Sequence, residues 1–204
     1  SDAGGAKRAA QDAAGFCRET EDILAARFAS LFDGLPEDDK SLHAFSASMS
    51  RLADSISEPQ EKIDAMLAEL ANPFANFELK RPTLDFALSA VPRAISVFLK
   101  NFAEPAKALA ATVGQGGAAE ASGAITGALC GAAHGENGLP ANLREKLANR
   151  KQVKARAQML ASGKLARTQL QDIYEMEYSL TRKENEEREA RVRKSHHTTK
   201  PDET

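Results

Sequence analysis

The sequence predicts an all-α protein, and three observations carry that prediction. Apolar residues recur at three- and four-residue spacing along most of the chain, and no stretch of useful length alternates apolar and polar as a strand does. Aromatic residues make up only 5% and Trp is absent, while Ala is abundant. A core built from Ala, Leu and a few Phe suits closely spaced helices better than a β-sandwich. Hydrophobic residues reach 42% of 204 positions, enough for a packed core and too many for global disorder. The length fits one ordinary domain, or a small domain with an extension. No repeat at a fixed period is present.

The elements follow from spacing and punctuation. Residues 5–33 read as one helix, with Phe16, Ile23, Leu24, Phe28, Leu31 and Phe32 at helical spacing and Asp33-Gly34-Leu35-Pro36 as its stop. A second helix is expected over 37–56, with Leu42, Phe45, Met49 and Leu52 on one face. Ser57-Glu58-Pro59-Gln60 reads as the N-terminal cap of a third, 58–71, which carries Ile63, Met66, Leu67 and Leu70. A connector over 72–82 contains Pro73 and Pro82. Thr83 then caps a helix to about residue 101, which Pro92 should kink or divide. A shorter helix, 102–112, leads to a small-residue loop, 113–123.

Residues 124–135 have helical period but many glycines. Glycines four apart lower helix propensity, and close approach of another backbone is the usual reason, so this helix should be the most buried. After the turn Asn137-Gly138-Leu139-Pro140, a single helix is expected over 141–161 and a last one over 164–194. Leu165, Leu170, Ile173, Tyr174 and Tyr178 occupy the first half of that last helix. From Thr181 to Lys194 only Ala190 and Val192 are apolar, so the second half is either solvated or a partner-binding arm. Residues 196–204 are expected to be disordered.

Charge is unevenly spread. Residues 1–140 carry 12 Lys and Arg against 19 Asp and Glu, a net of −7; residues 141–204 carry 15 against 10, a net of +5. The whole chain, at −2, is no polyanion binder, but an acidic body with a basic tail bears on partners. Apolar runs are too short for a transmembrane helix. No signal peptide is visible, and an intracellular location is expected, cytoplasmic or organellar, with a mitochondrial one following removal of a transit segment. Cys17 and Cys130 form no CxxC pair or Cys/His cluster, which disfavours structural zinc and fits a reducing compartment.

One set of residues in the second half of the chain is more specific. It begins with Thr83-Leu84-Asp85-Phe86-Ala87-Leu88-Ser89-Ala90-Val91-Pro92-Arg93-Ala94-Ile95-Ser96-Val97-Phe98-Leu99 and Glu104-Pro105-Ala106-Lys107-Ala108-Leu109. Gly116-Gly117 and the helix Ala124-Ile125-Thr126-Gly127-Ala128-Leu129-Cys130-Gly131-Ala132 come next. His134-Gly135, Gly138-Leu139-Pro140 and Leu147-Ala148-Asn149-Arg150 complete it. In order and spacing the stretch 83–150 resembles the ADP-ribosylglycohydrolase family. The resemblance implies an all-α fold, here its C-terminal part with an added charged helix. Residues 1–82 correspond at most to the helices just before the matched region. The expected division is a helical N-terminal part (1–82), a family-like core (83–162), a charged helix (163–195) and a tail (196–204).

The resemblance also implies a GGD-x-D-[TS] loop whose two aspartates and hydroxyl ligate paired magnesium ions. With Gly116-Gly117 on the family's glycines, Ala118 stands at the first aspartate, Glu120 at the second and Ala121 at the hydroxyl residue. Magnesium requires several hard oxygens in near-octahedral geometry, and alanine supplies none. The family's N-terminal GD signature and its mid-chain acidic cluster are missing as well.

The candidate residues are therefore few. Gly116, Gly117 and Glu120 form a degenerate substrate loop, and Gly114, Gly116 and Gly117 a weak phosphate cradle at a helix N-terminus. His134 and His43 have no visible nucleophile or orienting carboxylate, so no catalytic residue and no metal ligand is assigned. Arg144, Lys146, Arg150, Lys151, Lys154 and Arg156 form a basic run on the 141–161 helix, with Arg144, Lys151 and Lys154 on one face and Lys146 and Arg150 on another. A solvated surface is its default reading. Of that run Arg144, Lys146, Arg150, Lys151 and Lys154, with Tyr174 and Tyr178, are the candidate partner-binding residues. The leading function is a catalytically inactive family member acting as a structural or accessory subunit, without cofactor, that meets other subunits through an exposed apolar face and its last helix. A magnesium-dependent ADP-ribosyl glycohydrolase completed by another chain is the enzymatic alternative. Binding of RNA or ribonucleoprotein through the basic region is the third, with few aromatics there for base stacking.

Overall fold

A computed structural model gives the fold and describes residues 3–31, 40–80, 86–163 and 172–197. These are all-α, with no strand among them. The helices are α1 (Ala3–Arg27), α2 (Ala44–Ser55), α3 (Gln60–Ala71), α4 (Ala87–Lys100), α5 (Pro105–Val113), α6 (Ala119–Gly138), α7 (Ala141–Glu145), α8 (Arg150–Ser162) and α9 (Ile173–His197). Short 3₁₀ turns at Ala29–Leu31, Lys40–His43 and Asn72–Phe74 punctuate the first half. The chain divides into two compact units, Ser1–Ala141 and Asn142–Thr204.

In the first unit α4 is the hub, packing against α1, α2, α3, α5 and α6. Its sequence explains this, because nine of its positions are buried: Ser89, Ala90, Pro92, Arg93, Ala94, Ser96, Val97, Phe98 and Leu99. Met49, Leu52 and Ile56 from α2 and its C-terminus, Ile63 and Leu67 from α3, and Ala10 and Ala14 from α1 fill the core beside Phe98 and Leu99. Ala108 and Cys130 extend it toward α5 and α6. Small alanines let α1 approach closely, as the aromatic-poor composition requires.

Several expectations are corrected. Pro92 removes one backbone donor but does not divide α4, which runs unbroken from Ala87 to Lys100. Thr83, the expected cap of that helix, lies outside the described residues, as do residues 198–204. No side chain caps α3; Pro59 precedes it, and its carbonyl accepts the N–H groups of Lys62 and Ile63. The Gly-rich helix is not the most buried, since α6 buries only Ser122, Thr126 and Cys130. Its glycines receive side chains rather than a backbone. A Cβ at Gly123 would meet Val113 Cγ1 at 3.0 Å, and one at Gly127 would meet Leu109 Cδ2 at 3.7 Å.

The expected 141–161 helix is two. It breaks over 146–149, where Asn149 takes a left-handed φ of 52° before α8 begins. Asparagine tolerates that region better than most residues. In the second unit, no described residue is buried.

Candidate functional site

The degenerate loop sits between α5 and α6. Gly114 N–H closes α5 on Ala110 O at 2.9 Å, and Gly116 N–H donates to Val113 O at 3.1 Å. Gly116 and Gly117 then take φ of 69° and 71°, a pair of left-handed residues that glycine alone adopts without strain. The chain enters α6 at Ala119, whose N–H donates to Gly117 O at 2.8 Å. Glu120 is thus not a loop residue. It stands exposed in the first turn of α6; Ala118, two residues before it, is buried, and Ala121, which follows it, is exposed.

The oxygen donors of this corner do not fit a pair of magnesium ions. Glu120 is the one side-chain carboxylate between residues 114 and 123, and hard divalent cations need several. Among the described residues, no three His, Cys, Asp or Glu side chains converge as a metal-holding group. Ser122 and Thr126 face inward; Thr126 Oγ1 lies 3.0 Å from Thr112 Oγ1, and Thr112 itself donates to Ala108 O at 2.9 Å. The Thr112–Thr126 contact ties α5 to α6.

His134 and His43 both have structural partners. His134 Nε2 lies 2.6 Å from Phe102 O, and its ring is 4.9 Å from the Phe102 ring, which meets Phe98 edge-on at 5.5 Å. His43 Nδ1 lies 3.3 Å from Glu21 Oε2. Both thiols are free, and burial pushes both above their ordinary range; at Cys17 the charge of nearby Glu21 adds to that effect.

The basic run does not form the two faces expected of one helix. Arg144 lies in the last turn of α7 and Lys146 in the break, while Arg150, Lys151 and Lys154 belong to α8. Within α8, Lys154 lies four residues from Arg150 and three from Lys151, so it neighbours both. Arg156 donates to Gln152 Oε1 at 3.3 Å. On α9, Tyr174 and Tyr178 are one turn apart and among the most exposed apolar side chains of the chain. Beyond them Arg182–Glu186, Glu187–Arg191 and Glu189–Arg193 form i,i+4 ion pairs at 2.9, 3.7 and 3.0 Å.

Sequence reasoning missed a polar cluster between α3 and α4. Arg93 Nε meets Asp64 Oδ2 at 3.3 Å, with the arginine side chain 1% and the aspartate 16% exposed. Gln60 Nε2 donates to Asp64 Oδ1 at 2.8 Å and to Ser96 Oγ at 2.9 Å, and Ser96 Oγ donates to Arg93 O at 2.7 Å. A signal was present. Ser89, Arg93 and Ser96 recur at i, i+4 and i+7 within an otherwise apolar helix, which places three polar side chains on one stripe.

The described residues thus make an all-α protein with a glycine corner opening α6. A profile of the ADP-ribosylglycohydrolase family matches residues 6–173, and the chain belongs to that family. The match begins in α1, so the likeness takes in far more of the chain than the stretch 83–150. No curated protein and no solved structure matches.

Proposed function

We propose that this family member is catalytically inactive and serves as a structural or accessory subunit of a larger protein assembly. The observation that carries the reading is the donor chemistry of the α5–α6 corner. Alanines stand where the family motif places an aspartate and a hydroxyl, and Glu120 alone remains. A single exposed carboxylate is a weak site for a divalent cation in water.

Two further features support an interaction role. Phe16, Ile23, Leu24 and Phe28 of the first unit's N-terminal segment are exposed, with Phe16 at 69%. In the second unit α8 buries no residue, and Leu160, Tyr174 and Tyr178 are exposed. Large exposed apolar side chains in such number mark contact surfaces. Other protein subunits are the partners this reading assigns to them. No helix among the described residues is long and apolar enough to cross a membrane.

The test is purification of the native complex with mass spectrometric identification of co-purifying chains, alongside calorimetric titration with magnesium and ADP-ribose. Stoichiometric partner chains without magnesium binding are expected. Tight magnesium and ADP-ribose binding, by the chain alone or with its partner, would replace this reading with the completed-hydrolase one. Retention on a polyanion resin with steep salt dependence would favour the nucleic-acid reading instead.

A further inference from the structure

The outer face of α1 is complementary to itself. This helix turns Ala10 and Ala14 into the core and packs against α2. At about 100° per residue, Phe16 and Ile23 fall on the opposite side, two turns apart on one stripe. They are the most exposed large apolar side chains of α1, at 69% and 57%. Thr20 stands between them, exposed, and its hydroxyl already donates to Phe16 O at 2.7 Å. Asp12 and Arg27 lie on the same stripe, one turn outside Phe16 and Ile23, and both are exposed. Neither has an ion-pair partner among the described residues; the Arg27 guanidinium lies 5.8 Å from the centre of the Phe28 ring. Asp12 and Arg27 are equidistant from the midpoint between Glu19 and Thr20, and so are Phe16 and Ile23.

We infer that a second copy of this chain covers this face, with its α1 antiparallel to the first about a two-fold axis between Glu19 and Thr20. Phe16 of each copy then meets Ile23 of the other, and Asp12 of each meets Arg27 of the other. Every contact is made twice, as a self-complementary two-fold interface requires. A parallel pairing would set Asp12 on Asp12 and Arg27 on Arg27, like charge on like. One group opposes the antiparallel arrangement: Glu19 of both copies flanks the axis, so two carboxylates face each other. A contact of one helix per copy is small, so the association is weak, with a Kd of about 10–100 µM. The inference deepens the interaction role proposed above by naming the partner of the α1 face, and it does not rest on catalytic inactivity.

Sedimentation equilibrium of the full chain, over about 1–500 µM at low salt, tests it. A monomer–dimer equilibrium is expected, and Phe16→Glu or Ile23→Glu should weaken it by about tenfold or more. Asp12→Arg and Arg27→Glu each set like charges at both ends of the pair, so each alone should weaken it by about three- to tenfold. An equimolar mixture of those two variants restores opposite charges at both ends and should associate as tightly as wild type. Glu19→Gln should tighten the dimer.

A chain that stays monomeric throughout overturns the proposal. So does a dimer that Phe16→Glu and Ile23→Glu leave unchanged, which would place the contact on another face. A mixture no tighter than its two components overturns the antiparallel register. All five substitutions fall on exposed positions of one helix, and circular dichroism checks that each variant is folded. Should one of the charge variants fail to fold, the Glu19→Gln arm decides, because unchanged or weaker association there contradicts the placing of the axis. Magnesium binding is read in a separate titration, so failure of the dimer and failure of the non-catalytic reading are told apart.

Discussion

Glu21 Oε1 accepts the backbone N–H of Ser46 at 3.0 Å, so a carboxylate on α1 caps the first turn of α2. The other oxygen of the same carboxylate lies 3.3 Å from His43 Nδ1, in the residue that precedes α2. An N-terminal turn leaves donors unsatisfied, and α2 has no side-chain cap of its own. The contact thus supplies from a distant helix what the local sequence lacks, and it fixes where α1 crosses α2.

Removal of that cap should cost what cap losses usually cost. Glu21→Ala is expected to destabilise the first unit by about 1–2 kcal/mol. In a chain of this size that is a fall of about 2–8 °C in the unfolding midpoint. Glu21→Gln keeps an acceptor oxygen and should lose less than half as much. Calorimetric melts of the two variants check the order.

The Asp64–Arg93 pair makes a sharper prediction. Asp64→Ala leaves a guanidinium buried with no carboxylate, and breaking a buried pair from one side costs about 3–5 kcal/mol. Arg93→Met removes the charge that would be stranded. The double variant Asp64→Ala/Arg93→Met should therefore be more stable than Asp64→Ala alone. Chemical denaturation of both, at one pH and ionic strength, reads the difference directly. A double variant no more stable than the single one would place the loss in packing rather than charge.

Most of the fold was legible because helical spacing survives wherever a face is buried. Met49 and Leu52 of α2, Ile63 and Leu67 of α3, and Phe98 of α4 were all chosen by spacing, and all are core residues. The break at 146–149 was not legible. Nothing in Leu147-Ala148-Asn149 forbids a helix; the left-handed turn at Asn149 is a choice among conformations that local propensity does not make. The burial of α6 was overestimated for a related reason. Glycine at four-residue spacing signals a near neighbour along one stripe, here Val113 and Leu109, and does not by itself bury the other faces of the helix, where just Ser122, Thr126 and Cys130 are buried. At the candidate site the loop's lack of oxygen donors is written in the sequence. The Arg93 cluster is not, because an arginine within an apolar helix does not disclose which carboxylate of another helix it meets.

Two glycines should respond in opposite directions. Gly15 lies inside α1, and a Cβ there would meet nothing within 4 Å. Gly15→Ala removes the entropy penalty of a mid-helix glycine and should stabilise by about 0.5–1 kcal/mol. Gly135 interrupts α6 with φ 69° and ψ −179°, a conformation close to glycine-only. A Cβ there also meets nothing, so the cost of Gly135→Ala is backbone strain alone, about 1–3 kcal/mol. Equal effects of the two substitutions in matched denaturation curves would contradict the left-handed turn at Gly135.

The thiols give the pH-dependent prediction. Burial raises the pKa of both Cys17 and Cys130 in the folded chain, and the charge of Glu21 raises Cys17 further. A raised thiol pKa means that, at alkaline pH, the unfolded chain loses its thiol protons before the folded one does. By linkage, this contribution to stability is fully present below the unfolded thiol pKa, about 8.5, and declines as pH rises above it. Unfolding midpoints should therefore fall between about pH 8.5 and 10, and the Cys17→Ser/Cys130→Ser variant should show a shallower fall. Alkylation follows the same order of access. Cys17 is half-buried and Cys130 fully buried, so iodoacetamide at pH 8 should modify Cys17 slowly and Cys130 only as the chain opens. Mass spectrometry of the quenched peptides separates the two rates, and Cys130 reacting first would contradict its place in the core.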